Sequence, residues 1–301
     1  MESSAAPKSG IILIDKPGGC TSHDVLVKLK RKLKLSKVGH TGTLDPMATG
    51  LLICLVGEAT RLARFLDGEK KTYSGKIRLG LTTDSDDITG KEVTVCSNIP
   101  DFSVVLQATS NFIGDIDQVP PAVSAIKVGG ERSYDLAREG RAVELKARRV
   151  RIHEFTIEHI NTEIISFRVV CSRGTYIRSL ARDLGALLGC GACLKTLRRE
   201  GVTPYTTTQA VTLESAQLSD ILPTSELLGR WPKLLLSESE ARALRNGMQG
   251  ILRERASDIE SLANGSKVML YGTEGKLGEA LGLLERSEDG WKIALNFGEN
   301  E

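Results

Sequence analysis

The sequence has 301 residues, of which 41% are hydrophobic and 26% are charged, an ordinary composition for a globular protein. This length is more than one small hydrophobic core requires and predicts two domains. No apolar run reaches the roughly eighteen residues of a membrane span, and the N-terminus lacks the basic and apolar regions of a secretory signal. We therefore expect a cytoplasmic protein without a membrane partner.

The net charge of +2 is unevenly distributed along the chain. Residues 1–201 contain 30 Lys and Arg against 23 Asp and Glu, whereas residues 202–301 contain 10 against 15. Because excess positive charge attracts polyanions, the N-terminal two thirds is the part expected to bind nucleic acid.

The first predicted elements are a short strand at Ile11–Ile14 and a helix that begins at Thr21 with a capping-box pattern. Apolar residues at helical spacing define the buried face of this helix, namely Val25, Leu26, Leu29 and Leu33. The other face carries Lys28, Lys30, Arg31, Lys32, Lys34 and Lys37. Such a run is usually a solvated helix face, but contact with phosphates is an equally supported interpretation because a glycine-rich loop follows directly.

That loop, residues 39–50, has the sequence GHTGTLDPMATG and places one carboxylate, Asp45, among three glycines and a proline. Pro46 disfavours helical backbone at Asp45 and fixes the chain after it. A charge beside buried strands is costly unless it is paired or used, and the apolar run 51–56 follows. Taken alone, an Asp before Pro in such a loop predicts a turn more often than a catalytic group.

The middle of the chain mixes hairpins and helices, which indicates an α+β fold with a mixed or largely antiparallel sheet. An acidic stretch at Asp84–Gly90 predicts a hairpin turn or loop. A strongly basic segment lies at about 121–151. The predicted elements are a strand at Tyr73–Leu81, a helix at Phe102–Phe112, paired strands at Arg149–Ile160 and Ile164–Cys171, and a helix at Tyr176–Leu188.

The C-terminal part has the pattern of a small β-rich module after a boundary at Leu227–Pro232. A helix is predicted at Ser237–Asn246. Short strands are predicted at Lys267–Tyr271, Gly278–Leu284 and Trp291–Phe297.

Five motifs, in order along the chain, resemble those of the TruB family of tRNA pseudouridine synthases. The loop around Asp45 resembles the family's catalytic-aspartate motif. The other four are Ile14–Gly19, Lys71–Tyr73, Cys171–Arg178 and Leu197–Arg199. The resemblance covers residues from about 10 to 215 without a departure at the core positions.

The resemblance implies a pseudouridine-synthase catalytic domain at residues 10–230, with an RNA-clamping insertion at about 121–151. It also implies a PUA-like RNA-binding module at 232–298. The implied reaction converts the uridine at position 55 of the tRNA T-loop to pseudouridine, breaking the C1′–N1 bond and forming C1′–C5 after base flipping. We expect no cofactor, no metal and no guide RNA, and a monomeric enzyme.

Three catalytic residues follow from the resemblance: Asp45, Tyr73 and Arg178. Asp45 is either the nucleophile at C1′ or the base at C2′, and the sequence leaves both open. An ion pair between Arg178 and Asp45 is expected to orient the carboxylate. Tyr73 is expected to stack on the target base, and its hydroxyl could assist deprotonation of C5. Without the resemblance, core packing is the usual role of a strand tyrosine.

Four further residues are implied to bind substrate. Tyr176 and Leu197 would line the base pocket, with Tyr73 opposite. His40 would insert into the T-loop and help to flip the uridine, although a turn histidine bonded to backbone is the ordinary alternative. Lys16 would support the pocket.

Three competing functions remain open at this stage. The chain could be a non-catalytic RNA-binding protein with the same fold, although the intact Asp45 argues against this. It could be a guide-dependent relative of the H/ACA type, which shares the motifs. A phosphate-binding enzyme using loop 39–50 is disfavoured because no Gly-Lys-Ser/Thr follows.

Overall fold

A computed structural model describes residues 9–66, 70–122, 127–128, 131–132, 145–224, 231–246, 255–272 and 280–296. The helices are α1 (Ser22–Lys32), α2 (Phe102–Thr109), α3 (Ile177–Leu187) and α4 (Glu238–Arg245). The strands are β1 (Gly10–Lys16), β2 (Val38–His40), β3 (Thr49–Val56), β4 (Lys71–Leu79), β5 (Leu81–Thr83), β6 (Glu92–Val95), β7 (Gly114–Gln118), β8 (Lys127–Val128), β9 (Glu131–Arg132), β10 (Arg148–Asn161), β11 (Ile164–Cys171), β12 (Ala192–Val202), β13 (Tyr205–Thr206), β14 (Val211–Thr212), β15 (Leu222–Pro223), β16 (Lys233–Leu236), β17 (Lys267–Gly272), β18 (Ala280–Ser287) and β19 (Gly290–Asn296).

An eleven-stranded central sheet organises the chain, in the order β14-β1-β3-β12-β4-β11-β10-β7, with β2, β13 and β15 paired beside this path. The β1–β14 and β3–β12 pairs are parallel. The other pairs in this sheet are antiparallel. The predicted α+β class with a mixed, largely antiparallel sheet and flanking helices is therefore confirmed.

Helix α1 covers one face of the β1–β3 half of the sheet. It begins at Thr21, whose side chain accepts from the Asp24 backbone while the Asp24 carboxylate accepts from the Thr21 backbone, which is the predicted capping box. Its buried Val25 and Leu29 pack in one core with Ile14 and other residues of the same strand face. Because side chains alternate along a strand, the opposite face of β1 and β3 packs against residues of β17, β18 and β19.

Helices α2 and α3 cover one face of the other half of the sheet. Leu180 and Leu184 of α3 lie in a core with Ile77 of β4 and Phe167 of β11. Gly185 permits close contact with β12, because a Cβ there would lie 2.1 Å from the Ala192 nitrogen. This packing fixes α3, and therefore the site residues at its N-terminus, against the central sheet.

The C-terminal β-rich module is present as a four-stranded sheet, β16-β17-β18-β19, with α4 beside it. Strand β16 was not predicted. Most of the proposed boundary at Leu227–Pro232 lies outside the described residues. So does most of the basic segment at about 121–151, of which residues 121–122, 127–128, 131–132 and 145–151 are described.

Several predicted elements need correction. The strand predicted at Tyr73–Leu81 ends at Leu79, because Gly80 adopts a φ of 77° and turns the chain into β5. The helix predicted at Phe102–Phe112 is α-helical only to Thr109 and continues as a 3₁₀ turn. Strand β12 was missed entirely, although it lies between β3 and β4 in the sheet. Within the described residues, no helix is both long and apolar enough to cross a bilayer.

Candidate active site

Asp45 lies in the loop between β2 and β3, at the first position of a tight turn. The Ala48 N–H donates to the Asp45 carbonyl at 3.1 Å, and Pro46 occupies the second position, which its fixed φ suits. Before the turn, the Ser22 hydroxyl of α1 bonds both backbone groups of Leu44, at 2.8 and 3.1 Å. The loop is therefore tied to the start of α1 and presents the Asp45 carboxylate in one place.

Lys16, at the end of β1, also binds the backbone of this loop. Its side chain is fully buried, and its Nζ donates to the carbonyls of Pro17 (3.0 Å), Pro46 (3.3 Å) and Ala48 (2.7 Å). Burial lowers the pKa of Lys16, whereas the nearby Asp45 raises it. The structure thus places Lys16 under the turn, where it positions the backbone on both sides of Met47.

Arg178, the second residue of α3, forms the predicted ion pair with Asp45. Its Nε lies 3.0 Å from Asp45 Oδ2, and its Nη2 donates to Asp45 Oδ1 at 3.1 Å. The Arg178 side chain is only 7% exposed, whereas that of Asp45 is 34% exposed. Two parallel bonds fix the plane of the carboxylate, while part of the Asp45 side chain remains exposed.

A second carboxylate, Asp87, approaches the same guanidinium from the acidic turn after β5. Its Oδ2 lies 3.7 Å from Arg178 Nη1, which also donates to the Ser85 carbonyl at 3.1 Å. Its Oδ1 accepts from the Ser85 hydroxyl (3.0 Å) and the Thr89 N–H (2.9 Å). Asp87 is 5% exposed. The three nitrogens of the Arg178 guanidinium are therefore all engaged, which holds it in one orientation.

The pKa of Asp45 is raised above its ordinary value, mainly by burial. Arg178 opposes this rise, Asp87 adds to it, and Lys16 lowers it again. The ionised form is the one needed for attack on carbon or for proton removal. The acid limb of the activity profile is therefore expected above the usual pH range of an aspartate.

Tyr73 and Arg199 lie side by side on β4 and β12, where they are paired in register. Tyr73 is 7% exposed and accepts a hydrogen bond from Arg199, which is itself 2% exposed. Burial raises the pKa of Tyr73, so its hydroxyl is protonated at neutral pH. Arg199 also donates to the Leu51 carbonyl (2.7 Å) and the Gly42 carbonyl (3.1 Å), linking β12 to both ends of the Asp45 loop.

Tyr176 lies at the N-terminal boundary of α3, directly before Ile177 and Arg178. It is half-buried, and burial raises the pKa of its hydroxyl. Arg148 and Arg178 oppose this rise, whereas Asp45 adds to it. The buried Gln118 fixes its backbone by accepting from the Tyr176 N–H (2.7 Å) and donating to its carbonyl (3.0 Å). Tyr176 is therefore placed close to the Asp45–Arg178 pair.

His40 ends β2 and lies partly exposed at the entrance to the loop. Its Nδ1 accepts from the Gly42 N–H at 3.2 Å, which is the backbone bond expected of an ordinary turn histidine. Burial and the nearby Arg199 and His23 lower its pKa. The imidazole is therefore neutral at physiological pH, and its proton lies on Nε2.

Leu197 borders a groove of about 670 Å³ beside the loop that contains Asp45. Met47 and Thr49, which follow Asp45 in the chain, line the same groove. Leu197 also belongs to the core that contains Tyr73, Leu44 and Ile177. Asp45, Tyr73, Tyr176 and Arg178 do not line this groove, so Leu197 is the predicted site residue that the groove shares with the core beside the Asp45 loop.

Comparisons with known proteins show the family to which this chain belongs. A model described as TruB family pseudouridylate synthase (N terminal domain) matches residues 30–177, and one described as tRNA pseudouridylate synthase B C-terminal domain matches residues 178–226. A tRNA pseudouridine synthase B from Thermobifida fusca is 47% identical over 250 residues, covering 79% of this chain and 85% of that protein. Another from Thermotoga maritima is 40% identical over 274 residues, covering 90% and 88%. The chain belongs to the TruB family.

Solved structures agree on the fold of this TruB-family chain. A chain in the crystal structure of a Cbf5–Nop10–Gar1 complex superposes with a TM-score of 0.68 at 24% identity, covering 97% of this chain and 84% of that one. A chain in an archaeal box H/ACA Nop10–Cbf5 complex gives 0.66 at 24% identity. The protein therefore has the pseudouridine-synthase fold, and family membership makes it an enzyme of the isomerase class.

Asp87, Arg199 and Gln118 were missed as site residues of this TruB-family enzyme. Asp87 was assigned only to an acidic turn, and Arg199 only to a motif. A partial signal existed for Asp87, because three acidic residues within four positions need counter-charges when their loop packs inward. No comparable signal existed for Gln118, whose partner Tyr176 is 58 residues away.

We predict that Asp87→Asn shifts the pH dependence of activity, whereas Asp84→Asn does not. Asp87→Asn removes an anion that raises the Asp45 pKa, so the acid limb of the rate profile should move to lower pH. The rate at neutral pH should fall by up to about 10²-fold, because Arg178 loses one of its restraints. Asp84→Asn, at an exposed residue of the same turn, is the matched control and should change neither. An unmoved acid limb in Asp87→Asn would contradict this electrostatic arrangement.

Proposed function

We propose that this enzyme isomerises the uridine at position 55 in the T-loop of tRNA. The observation that carries the proposal is a partly exposed carboxylate held by a buried guanidinium, in a chain whose relatives are named tRNA pseudouridine synthase B. The reaction needs no external electrons, because the C1′–N1 bond is broken, the C1′–C5 bond is formed, and the proton on C5 is replaced by one on N1.

Asp45 is the group proposed to reach the ribose. As a nucleophile its carboxylate would attack C1′, and as a base it would take the proton from C2′. Both require the ionised form, which the bidentate contact with Arg178 favours despite burial. An oxocarbenium-like carbon facing a fixed carboxylate is also the arrangement that glycosidases use.

Tyr73, Tyr176 and Leu197 are proposed to form the walls around the base. The Tyr73 hydroxyl is protonated and bonded to Arg199. In the resting enzyme, Tyr73 therefore contributes a flat ring for contact with the base and a hydroxyl held in one position. Lys16 is proposed as a positioning residue, since its contacts are to the backbone of the turn.

His40 is proposed to enter the T-loop as a neutral ring when the uridine flips out. C1′ chemistry cannot proceed on a stacked nucleotide, so flipping must come first, at an unstacking cost of a few kcal/mol. A neutral imidazole can occupy the vacated space without the desolvation cost of a cation.

We predict that His40→Ala lowers kcat/KM by about 10- to 100-fold, because binding and flipping are weakened while the Asp45 chemistry remains. His40→Phe keeps a flat ring and should recover part of the loss. Single-turnover rates measured from subsaturating to saturating concentrations give both kcat/KM and the maximal rate. A loss for His40→Ala as complete as that for Asp45→Asn would contradict this division of roles.

We further propose that the enzyme acts without a guide RNA, as a cytoplasmic monomer. The test uses purified protein and a synthetic T-arm hairpin containing the target uridine, with no other RNA present. Pseudouridine at position 55 of the hairpin is the expected result. Activity that appears only after addition of a second RNA would show a guide-dependent enzyme instead.

A further inference from the structure

Helix α1 and the turn after it carry a cluster of exposed cations that the catalytic mechanism does not use. We call this cluster the α1 basic surface. In the described part of the chain, no carboxylate forms an ion pair with its side chains. Lys32 is not included, because its Nζ donates to the backbone carbonyls of Leu213 and Glu214. The α1 basic surface consists of Lys28, Lys30, Arg31, Lys34 and Lys37.

Lys34 occupies a position where the backbone favours glycine. Its φ is +53°, and the Leu35 N–H after it donates to the Lys30 carbonyl at 3.0 Å, which closes the C-terminus of α1. Helices usually place Gly or Asn at this left-handed position, because a Cβ is strained there. A cation is present against this local preference, and such outliers concentrate at functional sites.

Helix α1 starts beside the loop that contains Asp45, and the cations of the α1 basic surface lie in its later part and beyond its end. The Ser22 hydroxyl in the first turn of α1 bonds Leu44, the residue before Asp45. An eleven-residue helix is about 16 Å long. The cations at the C-terminal end of α1 therefore lie more than one helical turn from its start beside the Asp45 loop. Lys37 then leads directly into β2, which ends at His40.

Helix electrostatics explain only part of this arrangement. Cations in the last turn of a helix interact favourably with its dipole, which accounts for Lys30 and Arg31. Lys28 lies before the last turn, and Lys34 and Lys37 lie beyond the helix. In the described part of the chain none of the five forms an ion pair, although the Asp24 carboxylate interacts electrostatically with Lys28. Such an excess of positive charge forms the kind of surface that attracts a polyanion.

We propose that the α1 basic surface binds backbone phosphates of the tRNA outside the loop that enters the active site. This rests on the proposed function. The contacts would orient the RNA body without reading its sequence, because phosphate contacts position rather than specify. The target nucleotide at Asp45 and the phosphates at α1 would then be held by two separate parts of residues 22–45.

The test measures binding of a full-length unmodified tRNA transcript at several salt concentrations. The variant combines Lys28→Ala, Lys30→Ala, Arg31→Ala and Lys34→Gly. Its slope of log affinity against log salt should be shallower than that of wild type by about 3 to 4, because each cation accounts for about one phosphate contact. KM should rise, while the single-turnover rate at saturating tRNA stays within twofold of wild type.

Two further variants separate this role from a structural one. Lys28→Arg/Lys30→Arg keeps the charge and should bind like wild type. Lys34→Gly alone relieves the left-handed strain, so its melting temperature should equal or exceed that of wild type while tRNA affinity falls. Unchanged affinity and salt slope in the fourfold variant would overturn the proposal. If instead wild type forms no pseudouridine in any RNA, the proposed function itself has failed.

Discussion

Asp45→Asn is expected to lower the single-turnover rate of pseudouridine formation by at least about 10⁴-fold. The substituted amide keeps the shape of the side chain and can still accept from Arg178, but it can neither attack C1′ nor take a proton from C2′. Release of tritium from C5-labelled tRNA is the measurement, because the C5 proton leaves only when isomerisation proceeds.

Binding provides the control for this substitution. The affinity for tRNA should stay within about threefold of wild type, since a single neutralised carboxylate does not remove a contact to phosphate. A tritium-release rate within tenfold of wild type would exclude Asp45 as the group that reacts at the ribose. A parallel loss of tRNA binding and of melting temperature would instead indicate that Asp45 has only a structural role.

Arg178→Met is expected to have the second largest effect, on both activity and stability. It leaves Asp45 and the buried Asp87 without their shared cation. Breaking a buried pair costs about 3 kcal/mol, the lower end of the usual range, because a third of the Asp45 side chain remains accessible to water. The rate should fall by about 10²- to 10⁴-fold, because the carboxylate is no longer fixed.

The pH profile distinguishes electrostatic orientation from general destabilisation. Arg178 lowers the pKa of Asp45, so its removal should move the acid limb to higher pH, the reverse of the shift expected for Asp87→Asn.

Two control variants accompany this test. Arg178→Lys keeps a cation but loses the second parallel bond, so its rate should lie between those of wild type and Arg178→Met. Arg182→Gln, one turn further along α3, disrupts an ion pair with Asp86 and should leave the limb in place. An acid limb unchanged in Arg178→Met would contradict the account.

The sequence predicts the local structure around the site well, because the signals there are local. The capping box at Thr21 and the turn at Asp45-Pro46 both depend on residues within a few positions. Binary patterning likewise predicted the β10–β11 hairpin, whose buried residues alternate along both strands.

Contacts between distant residues could not be derived from periodicity. Asp45 and Arg178 are 133 residues apart, and only the family resemblance predicted their ion pair. Composition gave no reason to bury Lys16 or Arg199, since buried cations need partners that the fold alone supplies. Here those partners are mostly backbone carbonyls, which sequence patterns do not distinguish.

Strand β12 was missed because part of its sequence is unlike that of a central strand. Its segment 195–200 carries Lys195, Arg198, Arg199 and Glu200, a charged run that does not resemble a central strand. Gly50 permits β3 to lie against it, because a Cβ there would lie 2.3 Å from the Arg199 carbonyl oxygen. The low strand preference of these charged residues therefore gave the wrong prediction at a central position of the sheet, next to the candidate site.

The most direct test treats unmodified total tRNA with wild-type enzyme or Asp45→Asn and maps pseudouridine at single-nucleotide resolution. The account predicts full modification at position 55 with wild type and none with Asp45→Asn. Modification at position 55 by both proteins, or by neither, would contradict the claim that this Arg178-bound carboxylate acts on the T-loop uridine.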